Sequence, residues 1–378
     1  MRVLVVIFLF VSVCLGQELP RIRLDGKEVK DINDLMRRAG VGLRRQAIDP
    51  TGRYLFGVRG EGMLDVMAYD LRRERLLVVA RLGYGQKAHD AAALLRGEAS
   101  IWPFRHFMAG GGFAAGYQIR DANRNFHWDP GEVWELFLIK PPSTTPKKIA
   151  VSYTVPVFAF SLDGKHLFYA VTLKKGGATE LFMRRLRGTS VKRLHELGQG
   201  VECAYLAPSP DGKKVAVLER YDRKTFCLVV LELKKRKILL EMDITPKKGA
   251  NDRQILCWMP DSSGLLVQTE SGVKVAKLGK KGLEKFTPLY DAVKKLKLKE
   301  PDIFLVPTTT RRVLVVNVVK ETKRFSLAFH PLWKKMERLA LPPEAVVLTL
   351  QEKHALVLRG SGEYTRTVVA PVKWEKKH

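Results

Sequence analysis

Ser209-Pro210-Asp211-Gly212-Lys213-Lys214, running into Val215-Ala216-Val217, decides the fold of this chain because it returns in altered form. The copies are Asp49-Pro50-Thr51-Gly52-Arg53, Ser161-Leu162-Asp163-Gly164-Lys165 and Pro260-Asp261-Ser262-Ser263-Gly264. Each sits between two apolar, β-rich runs. Glycine supplies the positive φ that a tight turn needs, and aspartate hydrogen-bonds the turn backbone. A hairpin that recurs at a fixed period is the mark of a repeat architecture.

The period is about 50 residues: Gly164 to Gly212 spans 48 and Gly212 to Gly264 spans 52. Further steps land between Ile303–Val306 and Val313–Val316, then between Val346–Leu348 and Ala355–Leu358. These last turns lack the Asp-Gly pair but keep the flanking strand signals. The 112-residue gap from Gly52 to Gly164 holds one more unit, with Gly110-Gly111-Gly112 between Ile101–Phe104 and Phe113–Tyr117. Four strand-like runs fill a unit, as in Cys203–Ala207, Val215–Glu219, Phe226–Leu233 and Ile238–Met242. The expectation is an all-β chain, a β-propeller of seven four-stranded blades, whose closure protects the sheet edges. The last unit has three strands, so one from the N-terminal stretch, around Arg21–Leu24, completes it. A β-sandwich explains the strand content but not the spacing.

The Ser-Pro-Asp-Gly-Lys-Lys turn and its copies resemble the TolB-type WD40-like (PD40) repeat, known from periplasmic propellers and from propeller domains of some peptidases. The resemblance covers residues 42–378 and implies a propeller alone. The α/β domain that precedes the propeller in TolB has no room in residues 17–41, and no length remains for a peptidase domain.

Residues 1–16 read as a secretory signal peptide: Arg2, the apolar run Val3–Val13, then Cys14-Leu15-Gly16 before Gln17. The apolar core is too short to span a bilayer comfortably. The rival reading is a lipoprotein anchored at Cys14, against which Val13 stands where a small residue is usual. An exported chain, periplasmic or secreted, is expected. Residues 17–41 form a short N-terminal segment, with Val29, Ile32, Leu35 and Met36 at helical spacing. The formal net charge of +27 bears on solubility and partners, not on fold. Nine lysines fall between Lys274 and Lys299 against Glu284 and Asp291, and Lys234-Lys235-Arg236-Lys237 adds to them. A lysine-rich solvated surface of a heat-adapted protein would carry matching glutamate, which is lacking here. Attraction to a polyanion is the functional alternative: acidic envelope polymers, anionic lipid headgroups or, less in keeping with this compartment, nucleic acid, for which no recognisable module is visible. Cys203, Cys227 and Cys257 lie in apolar strand patterns and read as buried free thiols.

The clearest site chemistry is Asp121-Ala122-Asn123-Arg124-Asn125-Phe126-His127-Trp128-Asp129-Pro130-Gly131-Glu132. Counting Asp121 as position 1, oxygen-bearing side chains fall at 1, 3, 5, 9 and 12, as in an EF-hand-type loop. Calcium takes six to eight hard oxygens. Asp121, Asn123, Asn125 and Asp129 would each offer one, His127 its backbone carbonyl, and Glu132 both carboxylate oxygens. Phe126 stands where the motif has glycine, at a cost of about 1–2 kcal/mol. The flanks read as strands, so this is a calcium-loop hairpin, an insertion at 117–139, with a structural ion.

No Gly-x-Ser-x-Gly elbow, His-Glu-x-x-His pair or phosphate loop occurs. The histidines are dispersed. Glu202 and Asp252 lie on loops entering inner strands, where channel chemistry would gather its groups. The function expected is therefore non-enzymatic: an exported TolB-like binding or scaffold module for a protein or an anionic envelope component. The alternative is a periplasmic hydrolase or lyase acting at the central channel. Converging carboxylates or histidines in a deep channel mouth would favour the enzyme, and a shallow rim of lysines and aromatics the binder.

Overall fold

The computed structural model describes residues 18–22, 30–32, 34–35, 44–48, 53–59, 63–83, 113–120, 131–141, 143, 145–222, 224–247, 255–306, 310–321, 323–331, 334–342, 345–350, 354–359 and 366–376. Two N-terminal strands, β1 (Glu18–Ile22) and β2 (Lys30–Asp31), come first. The first sheet is β3 (Arg44–Ile48), β4 (Tyr54–Arg59), β5 (Met63–Asp70) and β6 (Arg75–Gly83). The second is β7 (Ala114–Arg120), β8 (Val133–Ile139) and β9 (Lys147–Ser152). The third is β10 (Val157–Phe160), β11 (His166–Thr172), β12 (Thr179–Arg185) and β13 (Val191–Glu196). The fourth is β14 (Glu202–Pro208), β15 (Lys214–Arg220), β16 (Phe226–Glu232) and β17 (Lys237–Ile244). The fifth is β18 (Leu256–Trp258), β19 (Gly264–Thr269), β20 (Gly272–Lys277) and β21 (Leu283–Lys285), followed by helix α1 (Thr287–Lys295). The sixth is β22 (Asp302–Leu305), β23 (Leu314–Lys320), β24 (Lys323–His330) and β25 (Lys335–Arg338). The seventh joins β26 (Ala345–Leu350), β27 (His354–Arg359) and β28 (Arg366–Lys376) to β1 and β2.

The repeated turn is held by its own side chains. Ser209 Oγ donates to Asp211 Oδ1 at 2.5 Å, and Asp211 Oδ1 also accepts the Lys213 amide at 2.9 Å. The third sheet repeats this with Ser161 Oγ to Asp163 Oδ1 at 2.6 Å and the Lys165 amide at 3.0 Å. Gly164 (φ 61°) and Gly212 (φ 70°) take the left-handed conformation that side chains rarely adopt. A leucine just after the third strand then ties the third turn to the first. The Leu71, Leu186, Leu233 and Leu278 amides donate to the carbonyls of Arg53, Lys165, Lys213 and Ser263, at 2.8 to 3.2 Å. In the sixth sheet Pro331 stands there and has no amide hydrogen to give.

Strand order fixes the two faces. Each sheet runs antiparallel in chain order, so its first and third turns lie at one end and its second turn at the other. First turns touch one another: the Asp211 amide of the fourth sheet donates to Ser262 Oγ of the fifth at 3.1 Å, and Arg311 Nε of the sixth to the Pro210 carbonyl of the fourth at 2.7 Å. At the opposite end Gln199, on the connection from the third sheet to the fourth, donates from Nε2 to the Gly176 carbonyl of the third sheet's second turn at 3.3 Å. The first strands β10, β14 and β18 contact one another in turn, which places them nearest the axis.

Apolar clusters fill the gaps between consecutive sheets. One packs Ala159, Phe168 and Leu181 of the third sheet against Leu206, Val217 and Val229 of the fourth. Another joins Leu55, Met67 and Tyr69 of the first sheet to Leu356 and Val369 of the seventh, with Ile32 and Leu35 between them. Full burial of each such side chain contributes about 1.5–3 kcal/mol. Polar ties cross the same gaps: Trp258 Nε1 to the Ala207 carbonyl at 2.6 Å and Gln268 Nε2 to the Ile303 carbonyl at 2.8 Å. The ring closes where β1 pairs antiparallel with β28, from Glu18 opposite Lys376 to Ile22 opposite Val372. The strand expected around Arg21–Leu24 is thus present, displaced a few residues toward the N-terminus.

Two expectations change. Six sheets have the full four strands of a blade, not seven; the β7–β9 sheet has three among the described residues. Its β8–β9 turn, at 140–146, corresponds to the third turn of the other sheets, so its strands take the second, third and fourth places. The expected Ile101–Phe104 strand and Gly110-Gly111-Gly112 lie outside the described residues. Within the N-terminal segment the helical stretch is shorter than the spacing suggests: Lys30 and Asp31 pair with Val369 and Val368 as a strand, and Ile32, Asp34 and Leu35 are helical as expected. Backbone partners on β28 outweigh the local period at 30–31 alone.

Candidate functional site

The calcium loop proper, with Asp121, Asn123, Asn125, His127 and Asp129, lies outside the described residues; Gly131 and Glu132 are described. Its flanks are the expected strands, β7 and β8, with Arg120 opposite Val133 and Ile119 opposite Trp134. This hairpin turn is therefore the second turn of its sheet. Glu132 is buried. Gly131 takes φ 111°, and a Cβ added there would lie 3.9 Å from Lys175 Nζ on the corresponding turn of the third sheet. The acidic end of the loop and a lysine of the neighbouring sheet thus meet on one rim.

The same rim carries the two most exposed large apolar groups among the described residues. Leu173, on the β11–β12 turn, is 46% exposed, and Tyr221, on the β15–β16 turn, is 49% exposed. Lys174, Lys175 and Lys224 stand exposed beside them. Tyr221 is not a loose tip. Its hydroxyl donates to Glu219 Oε2 at 3.1 Å, and Glu219 is buried. His195, on the neighbouring β13, sets Nε2 3.4 Å from Glu219 Oε1. Partial burial, then the Glu219 charge beside it, push the Tyr221 phenol up to about 12. Burial and the same carboxylate push the Cys227 thiol up to about 11. Tyr221 therefore presents a neutral, oriented ring and Cys227 an unreactive thiol at neutral pH.

The remaining sequence candidates lie apart. Glu202 opens β14 and pairs with Arg220. Asp252, His106 and His127 lie outside the described residues. His330 is buried and its imidazole is held below its ordinary value by desolvation. Cys203, Cys227 and Cys257 are buried free thiols, as expected. Cys203 and Cys227 flank Glu219 on β14 and β16, so a strand separates them. Among the described residues no three His, Cys, Asp or Glu side chains are arranged to hold a metal ion, and no helix is long and apolar enough to cross a membrane. Sequence reasoning missed Leu173, Tyr221 and Glu219. Their signal was position: each sits at or beside a second turn, a place known only once the strands are aligned.

The β-propeller domain of the Trilobed protease from Pyrococcus furiosus superposes on this chain with a TM-score of 0.51 at 10% identity, covering 89% of this chain and 99% of that one. The chain is a β-propeller. The Pyrococcus domain is described as having an open velcro topology, whereas here β1 and β28 pair across the closure. TolB from Acinetobacter baumannii matches at 14% identity and a TM-score of 0.40, over 85% of this chain and 82% of that one. An oligogalacturonate lyase in complex with manganese matches at 12% identity and 0.43, over 88% and 78%. Neither of these two adds to the argument at such TM-scores. No family model and no curated protein matches the chain.

Proposed function

We propose that the protein is an exported, non-enzymatic propeller of the TolB-like PD40 type, which binds a protein partner on the rim formed by its second turns. The observation that supports it is the pairing of exposed Leu173 and Tyr221 with Lys174, Lys175 and Lys224 on rigid hairpins. Aromatic and aliphatic anchors ringed by charge are what a binding surface needs, and little ordering entropy is lost when hairpins already hold them. The lysines favour an acidic partner, whether a protein or another anionic envelope component. In this reading residues 1–16 direct export and are removed, and residues 84–112 complete a seventh four-stranded blade. The 121–132 loop holds a structural calcium ion through Asp121, Asn123, Asn125, Asp129, Glu132 and the His127 carbonyl. The ion pins the longest hairpin of the rim.

A photo-crosslinking residue at Leu173 or Tyr221, in cells, tests the partner. One shared adduct from both positions, absent when the residue stands at Lys235 on the opposite face, is expected. Adducts from neither position, together with turnover of an envelope substrate by the purified protein, would replace binding with catalysis.

A further inference from the structure

The face opposite the rim carries positive charge in a regular pattern. In each of the first six sheets the turn between the last two strands bears at least two exposed cations, within it or beside it. Arg73, Lys147, Arg187, Lys235, Lys281 and Lys335 stand for the six in order, and all are exposed. Exposed acids in or beside these turns are few: Glu74 in the first and Glu284 in the fifth, the latter held by Lys277 and Lys280. The structure therefore splits the linear lysine run of the sequence. Lys277 to Lys285 lie on this face, whereas Lys294 to Lys299 lie on α1 and the connection to β22. The His166 imidazole, on the adjoining first turn, is held below its ordinary value by burial and then by Arg185, Lys165 and Lys192, against the opposing pull of Asp163.

We propose that this face docks flat on an anionic lipid bilayer. The last turns sit at the outer end of each sheet and repeat about one axis, so their cations meet a plane together. A linear polyanion would touch two or three turns at once; a headgroup surface meets all six. The groups are mostly ammonium point charges, which suit a diffuse charged surface better than planar, bidentate recognition of single anions. Val191 and Ile238, 41% and 40% exposed, follow the turns of the third and fourth sheets and offer apolar contact at headgroup depth. The rim with Leu173 and Tyr221 would then point away from the membrane. The inference does not depend on that rim being a binding site.

Co-sedimentation of the purified protein with vesicles tests this. Vesicles of phosphatidylcholine and phosphatidylglycerol in equal parts should carry the protein down, and phosphatidylcholine alone should not. Binding should vanish at about 1 M salt, where the screening length is about 3 Å. Each cation near the surface is worth about fivefold, equivalent to ~1 kcal/mol. The quadruple variant K234E/K235E/R236E/K237E should therefore lose at least about a hundredfold in partitioning. K294E/K295E/K297E/K299E changes the net charge equally and should lose less than about tenfold. Equal losses would overturn the oriented face and leave net charge alone as the cause. Retention by polygalacturonate without vesicle binding would overturn the bilayer in favour of a linear polymer.

Discussion

Asn317→Leu removes the polar tie between the sixth and seventh sheets while keeping the volume. On strand β26 Val347 pairs with Val357, next to a register shift that skips Leu348. The sixth sheet satisfies it: Asn317 Nδ2 donates to the Val347 carbonyl at 2.7 Å, and the Val347 amide donates to Ser326 Oγ at 3.0 Å. Ser326 Oγ in turn donates to Asn317 Oδ1 at 2.7 Å. All of this is buried. The leucine strands the Val347 carbonyl and the Ser326 hydroxyl hydrogen, each at about 1–3 kcal/mol. The sum is about 3 kcal/mol, or roughly 4 °C in melting temperature for a chain of this size. Urea unfolding followed by tryptophan fluorescence measures it. N317L/S326A should cost less than the two single changes added, because the three groups form one network. A loss under about 0.5 kcal/mol, or strict additivity, would refute the reasoning.

Gly272→Ala meets both a backbone and a packing obstacle. Gly272 takes φ 105°, and a Cβ there overlaps the Tyr290 hydroxyl, which accepts the Val273 amide at 2.8 Å and anchors α1. A loss of about 2–3 kcal/mol is expected, against about 1 kcal/mol for Tyr290→Phe, both by urea unfolding. Acid should unfold the protein through its turns. Burial raises Asp163 and Asp211, but the hydrogen bonds of Ser161 and of Lys214 and Ser209 outweigh it and hold both below 3.8. Carboxylates lowered in the folded state stabilise it above their unfolded value and lose that contribution as pH falls through the folded one. The urea midpoint should drift down between pH ~7 and ~5, as the unfolded chain protonates the depressed His166 and His330 more readily, and fall further below ~4, and D163N/D211N should flatten only the second fall. Chelation should lower the melting temperature of the native protein but not of Asp121→Ala/Glu132→Ala, as read by calorimetry with metal content by mass spectrometry. An unchanged native melt with no bound metal would remove the calcium loop.

Much of the architecture could be read from local chemistry. The Asp-Gly turns at Gly164 and Gly212 announce their hairpins because side chain and glycine alone define them. The later hairpins were legible from apolar runs alone, and β22–β23 and β26–β27 fall on them. Helix α1 was not read, since its lysines dominate the stretch. The marks were there: Pro288 in the first turn, with Leu289, Ala292 and Val293 buried at helical spacing. The rim and the basic face were invisible for another reason. Residues such as Leu173 and Tyr221, or Lys235 and Lys281, lie some 50 positions apart and meet only through the rotation of one sheet against the next.

Ring closure is what places the rim, the basic face and the axis. Cysteines at Arg21 and Lys373, in a background where the three buried thiols are serine, test it most directly. These positions face each other across β1 and β28, at the Cα separation of about 4.5–5.5 Å that a disulfide accepts. The account predicts near-complete intramolecular crosslinking under mild oxidation, with the folded signal retained. Crosslinking no faster than for a cysteine pair placed at Arg21 and Lys235 would contradict a closed ring.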